Sequence, residues 1–168
     1  MPLNIKKSFI TLTLLSSFFT ANVFADIQIL SGENEISQSV SEHFQQSTQL
    51  YDGSFAKGDA LYINVGTASE NQIAIAKSHV VKGDIVIIDL STIASDEEKI
   101  EQSQHITGLG ISAPVIVTGV YQGDNLVNAV VSDVVDENGN PLNNPEAELE
   151  SINQSLVHSL TRLGFGGK

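Results

Sequence analysis

Two periodicities alternate along the chain from residue 26 onward. Asp26-Ile27-Gln28-Ile29-Leu30 alternates polar and apolar residues and predicts a first strand. Ile36, Val40 and Phe44 then recur every fourth residue, which predicts a helix with one narrow apolar face. The glycine-bearing stretch Tyr51 to Asp59 reads as a loop, and Ala60 to Val65 as a second strand. Thr67-Ala68-Ser69-Glu70 and Ser95-Asp96-Glu97-Glu98 both match the capping box, in which a hydroxyl and a Glu satisfy each other's backbone amides. They predict the starts of the next two helices. The first carries Ile73, Ala76 and Val80 and ends near Gly83; the second is anchored by Ile100 and Ile106 and closes at Gly108 and Gly110. Between them, Asp84 to Leu90 is almost continuously β-branched, as in a strand buried on both faces at the centre of a sheet.

Ala113 to Tyr121 and Leu126 to Val135 form two more β-branched runs. The polar turn Gln122-Gly123-Asp124-Asn125 between them predicts an antiparallel hairpin. Asp136 to Asn144 is a polar loop. Asn144-Pro145 then caps a last helix, with Glu146, Glu148 and Glu150 near its positive end and a stripe of Leu149, Ile152, Leu156, Leu160 and Leu163. Arg162 and Gly164 mark its end, and Phe165 is expected to fold back onto it. The order β-α-β-α-β-α-β-β-α implies an α/β three-layer sandwich: a mostly parallel five-stranded sheet with one antiparallel pair and helices on both faces.

The residues before Asp26 belong to a different pattern. Lys6 and Lys7 precede an apolar run from Phe9 to Phe19, and Ala21-Asn22-Val23-Phe24-Ala25 places small or branched residues at the −3 and −1 positions. This reads as a secretory signal peptide over residues 1–25, cleaved after Ala25, with a single α/β domain over residues 26–168. The run is shorter than the roughly 20 apolar residues that span a bilayer, so no stable membrane anchor is expected after cleavage. The expected localisation is therefore export, to the periplasm or beyond the cell.

Composition changes with that reading. The chain of 168 residues has 8 Lys+Arg against 20 Asp+Glu, a net charge of −12. The leader contributes two lysines and no acid, so its removal takes the charge from −12 to −14. A domain of that sign repels phosphate, which argues against a nucleic-acid partner. There is no Cys, which excludes a disulfide framework, a Cys-ligated metal site and a cysteine nucleophile. About 140 mature residues are enough for a core without such staples.

The chemistry legible in the chain is sparse. In doubly wound sheets ligands sit beyond the carboxyl ends of the parallel strands. The residues expected there are Ser31 and Glu33, Asn64 and Thr67, Asp89 with Ser91 and Thr92, and Thr118. Asp89, Ser91, Thr92, Asn64 and Thr67 are the candidate ligand-binding residues; the alternative is that hydroxyls and acids stand there to cap helices and close loops. The turn after the first strand lacks the spaced glycines and the lysine of a phosphate loop, and its acids oppose phosphate. His43, His79, His105 and His158 fall on four different helices with no His-x-x-x-His pair, so no metal and no cofactor is expected. Asp136 to Pro141 resembles a calcium loop, but Pro141 stands where the turn glycine belongs. No Gly-x-Ser-x-Gly elbow occurs, and no catalytic residue is assigned. Tyr51 and Phe55, aromatics in a glycine-bearing loop, are candidates for a partner-binding patch or for packing beneath that loop.

The leader segment Asn4-Ile5-Lys6-Lys7, the mature start Asp26-Ile27-Gln28-Ile29 and the overall plan resemble the small accessory proteins encoded beside secreted pore-forming cytolysins of Vibrio. That resemblance implies a periplasmic helper that binds a client protein, a pore-forming toxin, and aids its folding, protection or secretion. It carries over no functional residue. The other readings are a periplasmic enzyme or a small-ligand module built on the strand-end rim around Asp89.

Overall fold

The computed structural model describes residues 25–132 and 134–167. The leader expected over residues 1–25 therefore lies outside the described residues, apart from Ala25. The elements are β1 (Ile27–Ile29), α1 (Glu35–Phe44), β2 (Thr48–Leu50), β3 (Ala60–Asn64), α2 (Glu70–Lys82), β4 (Ile85–Asp89), α3 (Asp96–Thr107), β5 (Val115–Tyr121), β6 (Asp124–Val130) and α4 (Pro145–Arg162). They form one sheet in the order β2-β1-β3-β4-β5-β6.

The sheet has six strands rather than the five expected. The additional one, β2, is three residues of Thr-Gln-Leu with Leu50 81% exposed, so it carries no alternation for sequence reading to find. Its extended form comes from backbone pairing alone: the Ile27 amide donates to Ser47 and the Tyr51 amide to Ile29. The strands β2, β1, β3 and β4 are mutually parallel. Two pairs are antiparallel rather than one, because β5 opposes β4 as well as β6. The cause lies between α3 and β5. Residues 108–114 run back along α3, held where Ser103 Oγ accepts the Ile111 amide at 2.7 Å and Ser112 Oγ donates to Asp96 at 2.8 Å. The chain thus reaches the carboxyl end of β4 before β5 begins, and Leu90 donates to the Pro114 carbonyl. The fifth and sixth strands also span less than expected, starting at Val115 rather than Ala113 and ending at Val130 rather than Val135.

Strand alternation divides the core in two. On one face Ile36 and Val40 of α1, Ile152, Leu156 and Leu160 of α4, and Phe165 pack on Ile27, Ile29, Tyr62, Ile87, Val115, Val117 and Val130. On the other, Ile73 and Ala76 of α2 and Ile106 of α3 pack on Leu61, Ile63, Val86, Ile88 and Ile116. Every residue of β3 is buried, which makes β3 and β4 the centre of the sheet.

The helix starts follow cap chemistry with one correction. The cap of α2 is Ser69 with Gln72 as its reciprocal partner, not Thr67 with Glu70, because a short 3₁₀ turn over Val65–Thr67 intervenes. Asn144 caps α4 as expected, Ser95 caps α3 by accepting the Glu98 amide but without the reciprocal bond expected from Glu98, and Gly83 and Gly108 close α2 and α3 in the left-handed conformation. Past α4, Gly164 turns the chain at φ +86° and Phe165 buries completely, meeting the Phe44 ring edge-on at 5.0 Å. The tail therefore fastens α4 to α1 rather than resting on α4 alone.

Candidate functional site

The strand-end rim is assembled, but its polar atoms bind one another. Asp89, fully buried at the end of β4, accepts from the Tyr62 hydroxyl at 2.6 Å, from Asn34 Nδ2 at 2.5 Å and from the Ser91 amide at 2.8 Å. Asn34 in turn caps α1, its Oδ1 accepting from the amides of Ile36 and Ser37. The Tyr62 hydroxyl sits 2.7 Å from that same Oδ1. Burial first, and then the charge of Asp89, hold the phenol well above the usual tyrosine range, so Tyr62 is a fixed proton donor.

Asn64 organises the neighbouring strand end. Its amide donates to Ser31 Oγ at 2.9 Å, its carbonyl accepts from Ser31 at 2.8 Å and from Thr67 at 3.2 Å, and its Oδ1 accepts from Thr92 at 3.1 Å. The sheet order reverses between β1 and β3, where a doubly wound fold opens its ligand crevice. Here Ser31 bridges that gap, and Gln72 Nε2 donates across it to the Leu30 carbonyl.

The candidate ligand residues are thus brought to one end of the sheet in two linked groups, Asp89 with Ser91 and Asn64 with Thr67 and Thr92. Ser91 and Thr92 are exposed and line a cleft of about 550 Å³ shared with Asn34, Glu35, Pro145 and Glu148, between the starts of α1 and α4. Thr118 is not part of this end. The reversal of β5 places it opposite Val86, near the start of β4, where its buried hydroxyl has no hydrogen-bond partner. Sequence reading passed over Tyr62 and Asn34. Asn34 carried a usable signal, since Asn34-x-x-Ser37 is itself a reciprocal cap; Tyr62 carried none, because an aromatic in a buried strand looks like core.

Tyr51 and Phe55 are half-buried against α2, around His79. The Tyr51 hydroxyl lies 3.1 Å from His79 Nε2, the Phe55 ring 4.7 Å from the imidazole, and Asp84 2.7 Å from Nδ1. Asp84 stands five residues beyond His79 and returns to it only because Gly83 reverses the chain. The four histidines do lie on four helices, and among the described residues no group of three or more metal-ligating side chains converges.

Acidic side chains occupy the first turns of all four helices: Glu35, Glu70, Asp96 with Glu97 and Glu98, and Glu146 with Glu148. The starts of α1 and α4 meet at the cleft beside the end of β4, so Glu35 and Glu148 stand next to the rim.

These features define an acidic α/β sandwich whose strand-end polar network is closed on itself. No family model matches the chain, and no solved structure matches it. Over 157 residues, covering 94% of this chain and 94% of the relative, it is 55% identical to the cytolysin secretion protein of Vibrio vulnificus (strain CMCP6). The chain belongs to the cytolysin secretion protein family.

Proposed function

We propose that this protein acts in the secretion of a cytolysin, as an exported helper that binds the toxin chain and assists its folding, protection or release. The observation that carries the reading is the 55% identity, spread over nearly the full length of both chains, to a protein named for cytolysin secretion. In this reading the leader is cleaved after Ala25, residues 26–168 form one domain, and the helper works in the periplasm or outside the cell. Binding is by contact rather than by chemistry, in keeping with a rim whose carboxylate and amide groups bond to one another. Acids at the helix starts steer a basic face of the client toward the strand-end side of the molecule, where contact shields an aggregation-prone surface from premature association.

Deleting the gene from its own bacterium should lower cytolysin in the medium while leaving its transcript unchanged, and the wild-type gene should restore it. Normal secretion in the deletion strain would end the helper reading. Charge steering has its own test. Association of the purified chain with unfolded cytolysin should slow at least tenfold between about 50 mM and 500 mM salt, as the screening length shrinks. A salt-independent rate would dispose of steering while leaving the helper role standing. A small-ligand reading rests on the cleft lined by Ser91 and Thr92; it requires a periplasmic metabolite to raise the melting temperature, and Ser91→Ala to abolish that rise.

A further inference from the structure

We propose that the outer edge of β6 is the surface that receives the client, by pairing with an extended segment of the toxin chain. This rests on the helper reading above. The two edges of the sheet differ. β2 is blunted by being only three residues long, whereas β6 runs seven residues from Asp124 to Val130. β6 contains no Lys, Arg or Pro, and its only charge is Asp124 at one end. At the hairpin, Arg162 lies over the Tyr121 ring at 4.5 Å, on the inner strand of the pair rather than on β6.

The hairpin geometry shows which backbone groups are free. Gln122 and Gly123 both take positive φ, +54° and +94°, forming a two-residue turn between the paired residues Tyr121 and Asp124. Pairing alternates from there, so Leu126, Asn128 and Val130 turn their amides and carbonyls toward β5. Asn125, Val127 and Ala129 turn theirs outward. The bond from Leu90 to the Pro114 carbonyl gives the same phase independently, since it directs the even-numbered residues of β5 toward β4. None of the outward groups on β6 has a hydrogen-bond partner among the described residues.

Beside this edge lies a cleft of about 460 Å³, bounded by Asn128, Ala129 and Val131 on the strand side and by Ser151, Ser155 and His158 on α4. The short serines leave room beneath an added strand for every second side chain. Val131, just past the strand, is 42% exposed. The run of β-branched residues that predicts a strand as far as Val135 thus continues beyond the point where the ladder ends. That later part pairs within the chain, Val135 bridging Pro141 and the Val134 carbonyl accepting from the Leu142 amide, so the open edge is that of β6 itself.

The occupant is an extended client segment with small side chains at alternate positions and a neutral or basic net charge. A second copy of this chain fits less well, because each copy brings a large negative charge to the contact. The edge supplies backbone hydrogen bonds, and the cleft supplies the side-chain preference.

The test uses the chain starting at Asp26 and cytolysin from the same bacterium, diluted from urea. Ala129→Pro removes an outward amide without touching the β5 ladder, and the double variant Asn125→Lys with Ala129→Lys guards the exposed edge with charge. Both should keep the circular dichroism spectrum and weaken binding at least tenfold, while Leu50→Lys on the β2 edge should change it less than twofold. Hydrogen exchange of the complex should show new protection over residues 124–131. Wild-type affinity in both β6 variants, or protection confined to the α1–α4 face, would overturn the edge assignment while leaving a helper that binds elsewhere. Protection of residues 124–131 in the protein alone, growing with concentration as a dimer forms, would replace the client with a second copy and overturn it too. No complex with the wild-type chain would remove both the helper reading and this one.

Discussion

The cleavage proposed after Ala25 would have a structural consequence that can be measured. The Asp26 backbone nitrogen lies 3.0 Å from Oδ1 of Asp59, a carboxylate only 4% exposed. The other partners of Asp59 are the Ala56 amide at 2.9 Å and Gln28 Nε2 at 3.4 Å. Among the described residues the ion pairs are His79–Asp84 and Lys99–Asp96, so Asp59 has hydrogen bonds but no cation. Burial, with the charge of Asp59 adding to it, already pushes the Asp26 carboxyl up. Processing at that bond would convert the Asp26 amide into an α-ammonium at the same place. At an effective dielectric constant of about 20, unit charges 3.0 Å apart attract by roughly 5 kcal/mol before desolvation. Desolvation and the partial exposure of Asp26 reduce this to a net of about 2 kcal/mol. A chain starting at Asp26 should therefore exceed one carrying a Gly-Ser extension by about 2 kcal/mol in urea unfolding, or about 7 °C in Tm. In an Asp59→Asn background the extension should cost almost nothing. The pH dependence follows from the sign of the shift. Pairing raises the folded α-amino pKa above its unfolded value of about 8, so the increment is full below pH 8 and is lost as pH rises through the folded value. An extension that changes stability by less than about 0.5 kcal/mol, or an increment unchanged between pH 6 and pH 10, would refute the reasoning.

Tyr62→Phe removes one of the three donors to buried Asp89 and should cost about 2 kcal/mol by urea titration with an unchanged m-value; a loss under about 0.5 kcal/mol would show that the network relaxes around it. Because the fold raises the Tyr62 pKa above its ordinary 10.0, the stability it contributes is present below pH 10 and is lost as pH rises beyond it. Wild type should then fall relative to Tyr62→Phe by about 1.4 kcal/mol per pH unit above pH 10, and parallel curves would contradict this. Gly66→Ala places a Cβ 2.2 Å from Thr92 Oγ1, so it should cost about 1–3 kcal/mol, and combining it with Thr92→Ala should cost less than the sum of the two single changes. Phe165→Ala empties a fully buried site against Phe44 and should cost about 3 kcal/mol in calorimetry, whereas a near-neutral result would mean that the tail does not hold α1 to α4.

The parts of the fold legible in the chain are those governed by local rules. The continuous β-branched run of β4, the caps at Ser95 and Asn144, and the glycines closing α2 and α3 each follow from side chains within a few residues of one another. β2 escaped because its three residues are extended through backbone pairing with β1, which leaves no mark on side-chain type. The direction of β5 escaped for a related reason: alternation fixes which faces a strand buries but not which way it runs. The reversal was decided by the return of residues 108–114 along α3. The misplacement of Thr118 follows directly from that.

The candidate site shows the same division. From sequence, Asp89, Asn64, Ser91, Thr92 and Thr67 could be placed near strand ends, because βα units put such residues there. Whether they faced a ligand or one another depended on Tyr62, Asn34 and Ser31, which stand 25 or more positions away from the groups they bond. By itself the sequence determined the α/β class, the starts of α3 and α4, the ends of α2 and α3 and the large negative charge, since these depend on composition and on neighbours along the chain. Only the tertiary structure decided that the rim is closed, that buried Asp59 accepts from the Asp26 nitrogen and that β6 keeps a free edge. Each of those facts concerns hydrogen-bond donors and acceptors brought together, or left apart, by segments distant in the chain.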